Sequence, residues 1–354
     1  MAFDSPATRG RSMPEQHTAF SIEAMMKHQQ TQLNQQQLRP NLTFYDLYPP
    51  TKDMLAEVSQ SLSGATPSLH PKYFYDETGS ALFDRITRSP EYYPTRTETG
   101  LLTDYAEEIH ARLGQPQIIA EPGAGSCEKV RLLLDAWQPR HYMPVEISRE
   151  CLLDASRQLA GDFPNVHISA VCADYCQTMA MPDALTQSGQ VVFFPGSTIG
   201  NFEPSARADF LKGLHNLAGA GGALLIGADL QKANTQLNAA YNDAEGLTAA
   251  FNLNALHHLN RKLDCQFDTA NMRHVAFYNS DHQRIEMHLE CLCDQHIQLG
   301  ERSLILNSGT RIHTENSYKF TEQSFSAELI AAGFKPLNCW TDPQNLFSLH
   351  LAQA

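Results

Sequence analysis

The sequence predicts an α/β fold: a doubly wound, Rossmann-like parallel sheet carrying a second, smaller domain. Three observations predict it. From Ile118 to Asp229, short apolar runs bounded by turns alternate with amphipathic helical stretches, as expected of parallel strands joined by crossover helices. After Asp229 that alternation stops, and a mixed pattern runs to about residue 319, which is the mark of an inserted domain. The chain then closes with a helical stretch and two strand-like runs, "KPLNCWTD" and "LFSLHLA", joined by a short polar turn.

Taken in order, residues 1–42 are polar, end in the glutamine cluster "KHQQTQLNQQQLRP" and read as a flexible tail. Helical spacing of Met54, Leu55, Val58 and Leu62 predicts a helix over Thr51 to Leu62. The segment "KYFYDETGSALFDRITRSPEYYPTRTE" is too rich in aromatics for a plain connector. Strands are expected at "QIIAEPG", "YMPVEIS", "VHISAVCAD", "QVVFFPGSTIGN" and "GALLIGADL", with helices over Glu128 to Trp137, Arg149 to Ala160 and Ser205 to Leu217. In the insertion, "RHVAFYNS", "RIEMHLECLC" and "QHIQLG" read as strands, and "TEQSFSAELIAAGF" after it as a helix.

Composition narrows the function. The 354 residues carry a net charge of -13 without any run of lysines or arginines, which disfavours a nucleic-acid partner. No apolar stretch reaches membrane-spanning length and no signal peptide is recognisable, so a cytoplasmic protein, taken to be monomeric, is expected. Eight cysteines form neither a disulfide framework nor paired CxxC hooks, and fifteen histidines include no HExxH. No metal is expected.

The glycine turn "EPGAGSCEK" sets the chemistry. A glycine pair after a first strand lets backbone approach a nucleotide-type cofactor. The third glycine of a pyrophosphate-binding G-x-G-x-x-G would fall at Glu128, and an acid there disfavours a dinucleotide. Glu121, Gly123 and Gly125 instead resemble an S-adenosylmethionine loop, in which the acid can face a cationic methionyl group. The terminal hairpin is similar to the close of class I methyltransferases. Glu146 and Ser148 stand at the end of the second strand, where a ribose-binding acid is expected. Asp174 and Tyr175 follow the third strand, within reach of an adenine, and Asn201 follows the fourth.

The longer motifs "YFYDETGSALFDRITRSPEYYPTRTE", "EPGAGSCEKVRLLLDA", "FFPGSTIGNFEP", "LLIGADLQK", "AAYNDAEGLTAAFNLNALHHLNRKL", "RIEMHLE" and "ENSYKF" resemble, in order and spacing, the histidine N-alpha-methyltransferases of ergothioneine biosynthesis. The similarity runs from about residue 44 to the C-terminus. It implies S-adenosylmethionine as cofactor and three methyl transfers to L-histidine, giving N,N,N-trimethylhistidine (hercynine). It also implies a substrate domain over 43–95 plus 232–319, and a cofactor domain over 96–231 plus 320–354. Cofactor contacts are implied at Gly123, Lys129, Asp174 and Tyr175. Tyr92, Asn201 and Tyr241 are implied at the amine and carboxylate end of the substrate, Asn201 and Tyr241 being the catalytic pair. Glu315 and Ser317 would read the imidazole, Tyr75 and Phe83 would line the pocket, and Met287 would floor it. Two departures stand out: "VEIS" replaces the expected "FDVD", leaving Glu146 as the surviving acid, and Pro122 precedes the glycines. The residues leave open a methyltransferase acting on an indole amino acid or a ring-substituted histidine, and a non-catalytic cofactor-binding scaffold.

Overall fold

In the computed structural model, which describes residues 34–47, 54–175 and 189–354, the chain runs β1 (Asn34–Arg39), β2 (Leu42–Asp46), α1 (Met54–Leu62), α2 (Glu77–Ile86), α3 (Tyr93–Leu113), β3 (Ile118–Pro122), α4 (Val130–Trp137), β4 (His141–Glu146), α5 (Arg149–Asp162), β5 (His167–Cys172) and β6 (Val191–Phe194). It continues through α6 (Pro204–Ala218), β7 (Ala223–Asp229), α7 (Asn234–Ala240), α8 (Leu247–Leu263), β8 (Met272–Asn279), β9 (Arg284–Cys291), β10 (Gln295–Leu299), β11 (Arg302–Leu306), β12 (Arg311–Tyr318), α9 (Glu322–Ala331), β13 (Lys335–Thr341) and β14 (Phe347–Gln353). Gln35–Ala354 form one compact unit.

Nine strands make one sheet in the order β1-β2-β5-β4-β3-β6-β7-β14-β13. Strands β2 to β7 pair in parallel, and β14 runs antiparallel to both β7 and β13. All seven residues of β7 are buried, because a parallel strand covered on both faces has no solvent side. Alternate residues feed opposite layers: Ile119 and Phe193 join Leu133, Leu134 and Phe347, whereas Ala120 and Phe194 join Leu211, Leu214 and Phe325. Strand order reverses between β3 and β6, so the carboxyl ends there open a crevice suited to a ligand.

A second core packs the aromatic segment and the insertion around the three-stranded antiparallel sheet β12-β9-β8. On β9, buried Ile285, Met287 and Leu289 alternate with the polar face of Arg284, His288 and Glu290. Among the described residues no helix is long and apolar enough to cross a membrane.

The structure moves two expected boundaries. Asn34–Arg39 and Leu42–Asp46, expected in the tail and at the start of the substrate domain, are strands of the large sheet, β2 pairing with β5 from Leu42↔Ile168 to Asp46↔Cys172. The glutamines carry no apolar period because an edge strand needs only its backbone paired, while Leu42 and Phe44 supply the burial. The boundary at 95/96 falls inside α3, whose Tyr93 belongs to the second core while Leu101, Leu102 and Ile109 belong to the sheet. Residues 1–33 and 51–53 lie outside the described residues. The helix expected from Glu128 begins at Val130, since Gly123, Gly125 and Cys127 all take positive φ in the turn before it.

Candidate active site

The glycine turn hangs on β4. Gly123 (φ +70) and Ala124 donate to the Val145 carbonyl at 2.8 and 3.2 Å, and Gly125 (φ +52) donates to Glu146 Oε2 at 3.0 Å. The other oxygen of Glu146 accepts from the amides of Ile147 and Ser148 at 2.8 and 3.0 Å. Burial pushes this carboxyl up, and the three amides pull it back. Ser148 is the N-cap residue of α5, although its side chain makes no capping bond. A Cβ on Gly123 would lie 3.1 Å from the Tyr175 ring, so the turn and that ring face each other at contact distance. Tyr175 is edge-on to Phe194 and tilted against Phe210, and Asp174 precedes it just past the end of β5.

Lys129 pairs at 2.5 Å with Glu98, a fully buried carboxylate on α3 that also accepts from the Gly196 amide at 3.0 and 2.9 Å. A Cβ on Gly227 would collide with that carboxylate. Glu98 therefore ties the glycine-turn helix to the turn after β6 and to β7, which the sequence pattern does not reveal. Glu121 departs from expectation. It is 2% exposed and accepts from the Tyr142 hydroxyl at 2.5 Å. Burial pushes it up to about 8, against the pull of Tyr142 and Lys129. At neutral pH it is a protonated acid bound to β4, not a free anion facing a cation.

The second half of the site is aromatic. Tyr75 packs edge-on against Phe83 and Phe251 at 5.9 and 5.4 Å, Phe83 against Tyr92 at 6.3 Å, and Tyr92 against Tyr241 at 6.4 Å. Burial holds the phenols of Tyr75, Tyr92 and Tyr241 well above their ordinary value, so they stay neutral. Glu315 and Ser317 share one face of β12, since the bulge between His313 and Glu315 ends before them. Glu315 lies opposite Met287 in register. Asn201, closing the 3-10 turn Thr198–Asn201, directs Nδ2 at Glu315 Oε2 from 3.5 Å. Gly200 permits this approach, because a Cβ there would meet the Tyr318 carbonyl at 2.8 Å. Burial pushes Glu315 up to about 7, with Lys319 drawing it down.

Residues 54–354 match the model of a family described as histidine-specific, SAM-dependent methyltransferases. The chain belongs to this family. It is 41% identical over 302 residues to the histidine N-alpha-methyltransferase of Mycolicibacterium smegmatis, covering 84% of this chain and 93% of that one. It is 39% identical over 303 residues to the protein of the same name from Mycobacterium tuberculosis, again 84% and 93% covered. It is 29% identical over 298 residues to ergothioneine biosynthesis protein 1 of Neurospora crassa, covering 78% of this chain and 32% of that one. The matched span takes in the second core and the sheet from β3 to β14, so the crevice of the sheet and the aromatic cluster belong to one family unit.

Beside the residues read from the sequence, the methyltransferase places others that sequence reasoning passes over. Phe251 completes the aromatic wall. Lys319 donates to Asp229 Oδ2 at 2.7 Å, to Ser317 Oγ at 2.8 Å and to the Tyr241 hydroxyl at 3.2 Å. Asp229 also accepts from the Tyr93 hydroxyl at 2.8 Å and from Lys232 at 2.5 Å. Both lysines stand inside motifs quoted above, "ENSYKF" and "LLIGADLQK", yet nothing local says that a strand-end aspartate lies between them.

Proposed function

We propose that this methyltransferase acts on the α-amino nitrogen of L-histidine and, in three rounds, makes N,N,N-trimethylhistidine, the first step of ergothioneine biosynthesis. One observation carries the reading: a buried carboxylate and a hydroxyl, Glu315 and Ser317, share a strand face inside an aromatic pocket that abuts Asn201 at the carboxyl edge of the sheet. That pair offers an acceptor and a donor to the two nitrogens of an imidazole. A phenyl or indole ring would leave the buried carboxylate without a full partner set, which is costly. The names of the relatives support the same substrate.

The residues around the turn fit S-adenosylmethionine. The bare Cα of Gly123 faces an aromatic ring across a gap that a Cβ would crowd, and acids stand at the ends of β4 and β5. We assign Gly123, Gly125, Glu146, Ser148, Asp174, Tyr175 and Lys129 to holding it, with Glu121 beneath the turn. When bound, it supplies an electrophilic methyl group on a sulfonium. The chain's own part is mostly alignment. Asn201 has both a donor and an acceptor with which to orient a neutral amine without becoming charged, and Tyr241 adds a neutral phenol. The faces of Tyr92, Tyr75 and Phe83 stabilise the growing quaternary cation by roughly 0.5 to 2 kcal/mol. The second core, from the aromatic segment and 232–319, forms the amino-acid half. The protein acts as a cytoplasmic monomer in this reading.

Purified protein, incubated with S-adenosylmethionine and each of the twenty amino acids, tests the proposal by mass. Trimethylated histidine alone is expected. Methylation of tryptophan in preference to histidine would overturn it.

A further inference from the structure

Lys319 is 3% exposed and lies two residues past Ser317. Its ammonium has three protons, and the structure gives them three acceptors: Asp229 Oδ2 at 2.7 Å, Ser317 Oγ at 2.8 Å and the Tyr241 oxygen at 3.2 Å. None is left for a ligand. Ser317 Oγ also accepts from the Tyr241 hydroxyl at 2.8 Å, so both lone pairs of the serine oxygen are taken. What remains is its O–H, which can only donate.

We propose that Lys319 is a positioning residue that sets the hydrogen-bond polarity of the amino-acid pocket. By committing Ser317 to donate beside the accepting Glu315, it makes the pocket take a neutral five-membered ring with one bare nitrogen and one N–H. An imidazolium has no bare nitrogen for Ser317, and a pyrrole has none either. This rests on the histidine reading above and deepens it.

Asp229 makes the arrangement stable. Burial alone would raise its carboxyl, but the Lys319 and Lys232 ammoniums outweigh burial and hold it below the usual range. Its backbone N–H is bound to Ser197 Oγ at 2.8 Å. When Lys319 is replaced by methionine, Asp229 keeps Lys232 and Tyr93, while Ser317 is free to turn; Glu315 loses the ammonium that draws it down, a change common to histidine and the pyrroles because each brings that carboxyl a ring N–H.

The experiment compares kcat/KM for L-histidine with that for 2- and 3-linked pyrrolylalanine, which keep a ring N–H and replace the basic nitrogen by C–H. In the unaltered protein the better pyrrole is expected to be about tenfold to a hundredfold worse, because the Ser317 proton loses its acceptor. In Lys319→Met that ratio is expected to fall to within about threefold, with S-adenosylhomocysteine affinity retained by calorimetry. Tyr241→Phe, which opens one of the same lone pairs while Lys319 stays, is expected to give an intermediate ratio despite slower turnover on both acceptors. If Lys319→Met no longer binds S-adenosylhomocysteine, the Tyr241→Phe ratio decides. A ratio equal to that of the unaltered protein in either folded variant overturns the role of Lys319. If the unaltered protein fails to methylate histidine at all, the histidine reading itself falls.

Discussion

Replacing Glu315 tests whether the ring is read where the pocket places its carboxylate. This group is 9% exposed, and the Asn201 amide at 3.5 Å is at the limit of a hydrogen bond. Burial pushes it up to about 7, so holding it ionised at neutral pH costs roughly 3 kcal/mol relative to water. A ring N–H at short range offsets that cost, since a hydrogen bond to a charged group contributes about 1.5 to 3 kcal/mol. Glu315→Ala should therefore lower kcat/KM for histidine by about tenfold to a hundredfold and narrow its lead over phenylalanine and tryptophan. Glu315→Gln keeps volume and an acceptor, and should cost less. It also isolates the charge: the ionised, accepting form of Glu315 grows as pH rises through about 7, so kcat/KM should gain a rising limb between pH 6 and 8 that the glutamine variant lacks. The phenols of Tyr75, Tyr92 and Tyr241 stay neutral across that window, and Lys319 keeps its ion pair with Asp229 in both proteins. Titration of the substrate is likewise common to both. The assay is initial rate by mass on histidine, phenylalanine and tryptophan. An unchanged histidine preference in Glu315→Ala that still binds S-adenosylhomocysteine refutes the reasoning.

Asn201→Ala should lower turnover on every acceptor without changing their ranking, since it orients the amine they share; a change of ranking with kcat intact would move Asn201 to ring recognition. Gly123→Val forces a branched side chain into φ +70 with its Cβ 3.1 Å from the Tyr175 ring, and should abolish S-adenosylhomocysteine binding by calorimetry while thermal unfolding stays cooperative. Full affinity would show that the turn is not the cofactor site. Glu121→Gln should be stabilising, increasingly so as pH rises. Between about pH 5 and pH 8 the native state keeps a proton on Glu121, held up to about 8, that the unfolded chain gives up above its ordinary carboxylate range. The native state binds more protons, so stability falls with pH, and the glutamine removes that fall. Urea melts across the window check it, and a difference flat in pH counts against a protonated Glu121. Removing residues 1–33 should leave turnover within about twofold, whereas extending the cut through Arg39 deletes β1 and should lower Tm; loss of activity in the shorter truncation would tie that segment to the site.

By itself the sequence determined the strand and helix alternation from Ile118 to Asp229, the closing hairpin and the glycine turn. Those features are local: burial imposes a period of two or 3.6 along one element, and a turn needs glycine where φ is positive. Edge strand β1 escaped because its glutamines stay exposed and hold the sheet through hydrogen bonds, Gln37 bonding the Leu42 carbonyl and the Thr43 hydroxyl, which leave no apolar period. Only the tertiary structure decided which side chain partners which. Tyr241 meets Ser317 across 76 positions, and Lys129 meets Glu98 across 31. The bulge in β12 that brings Glu315 opposite Met287 depends on pairing with β9. Protonation states followed from that packing, too. Glu121 reads in the sequence as an anion at a cofactor turn, and becomes a neutral acid because the fold buries it against β4, where the Tyr142 hydroxyl and the Lys129 charge do not offset the loss of water. Lys319 draws no reading from local pattern, and is fixed beside Ser317 because β7 carries Asp229 to it. Local patterning records whether a residue is buried, but the field that sets its charge and the direction of its hydrogen bonds comes from distant segments of chain, which only folding brings near.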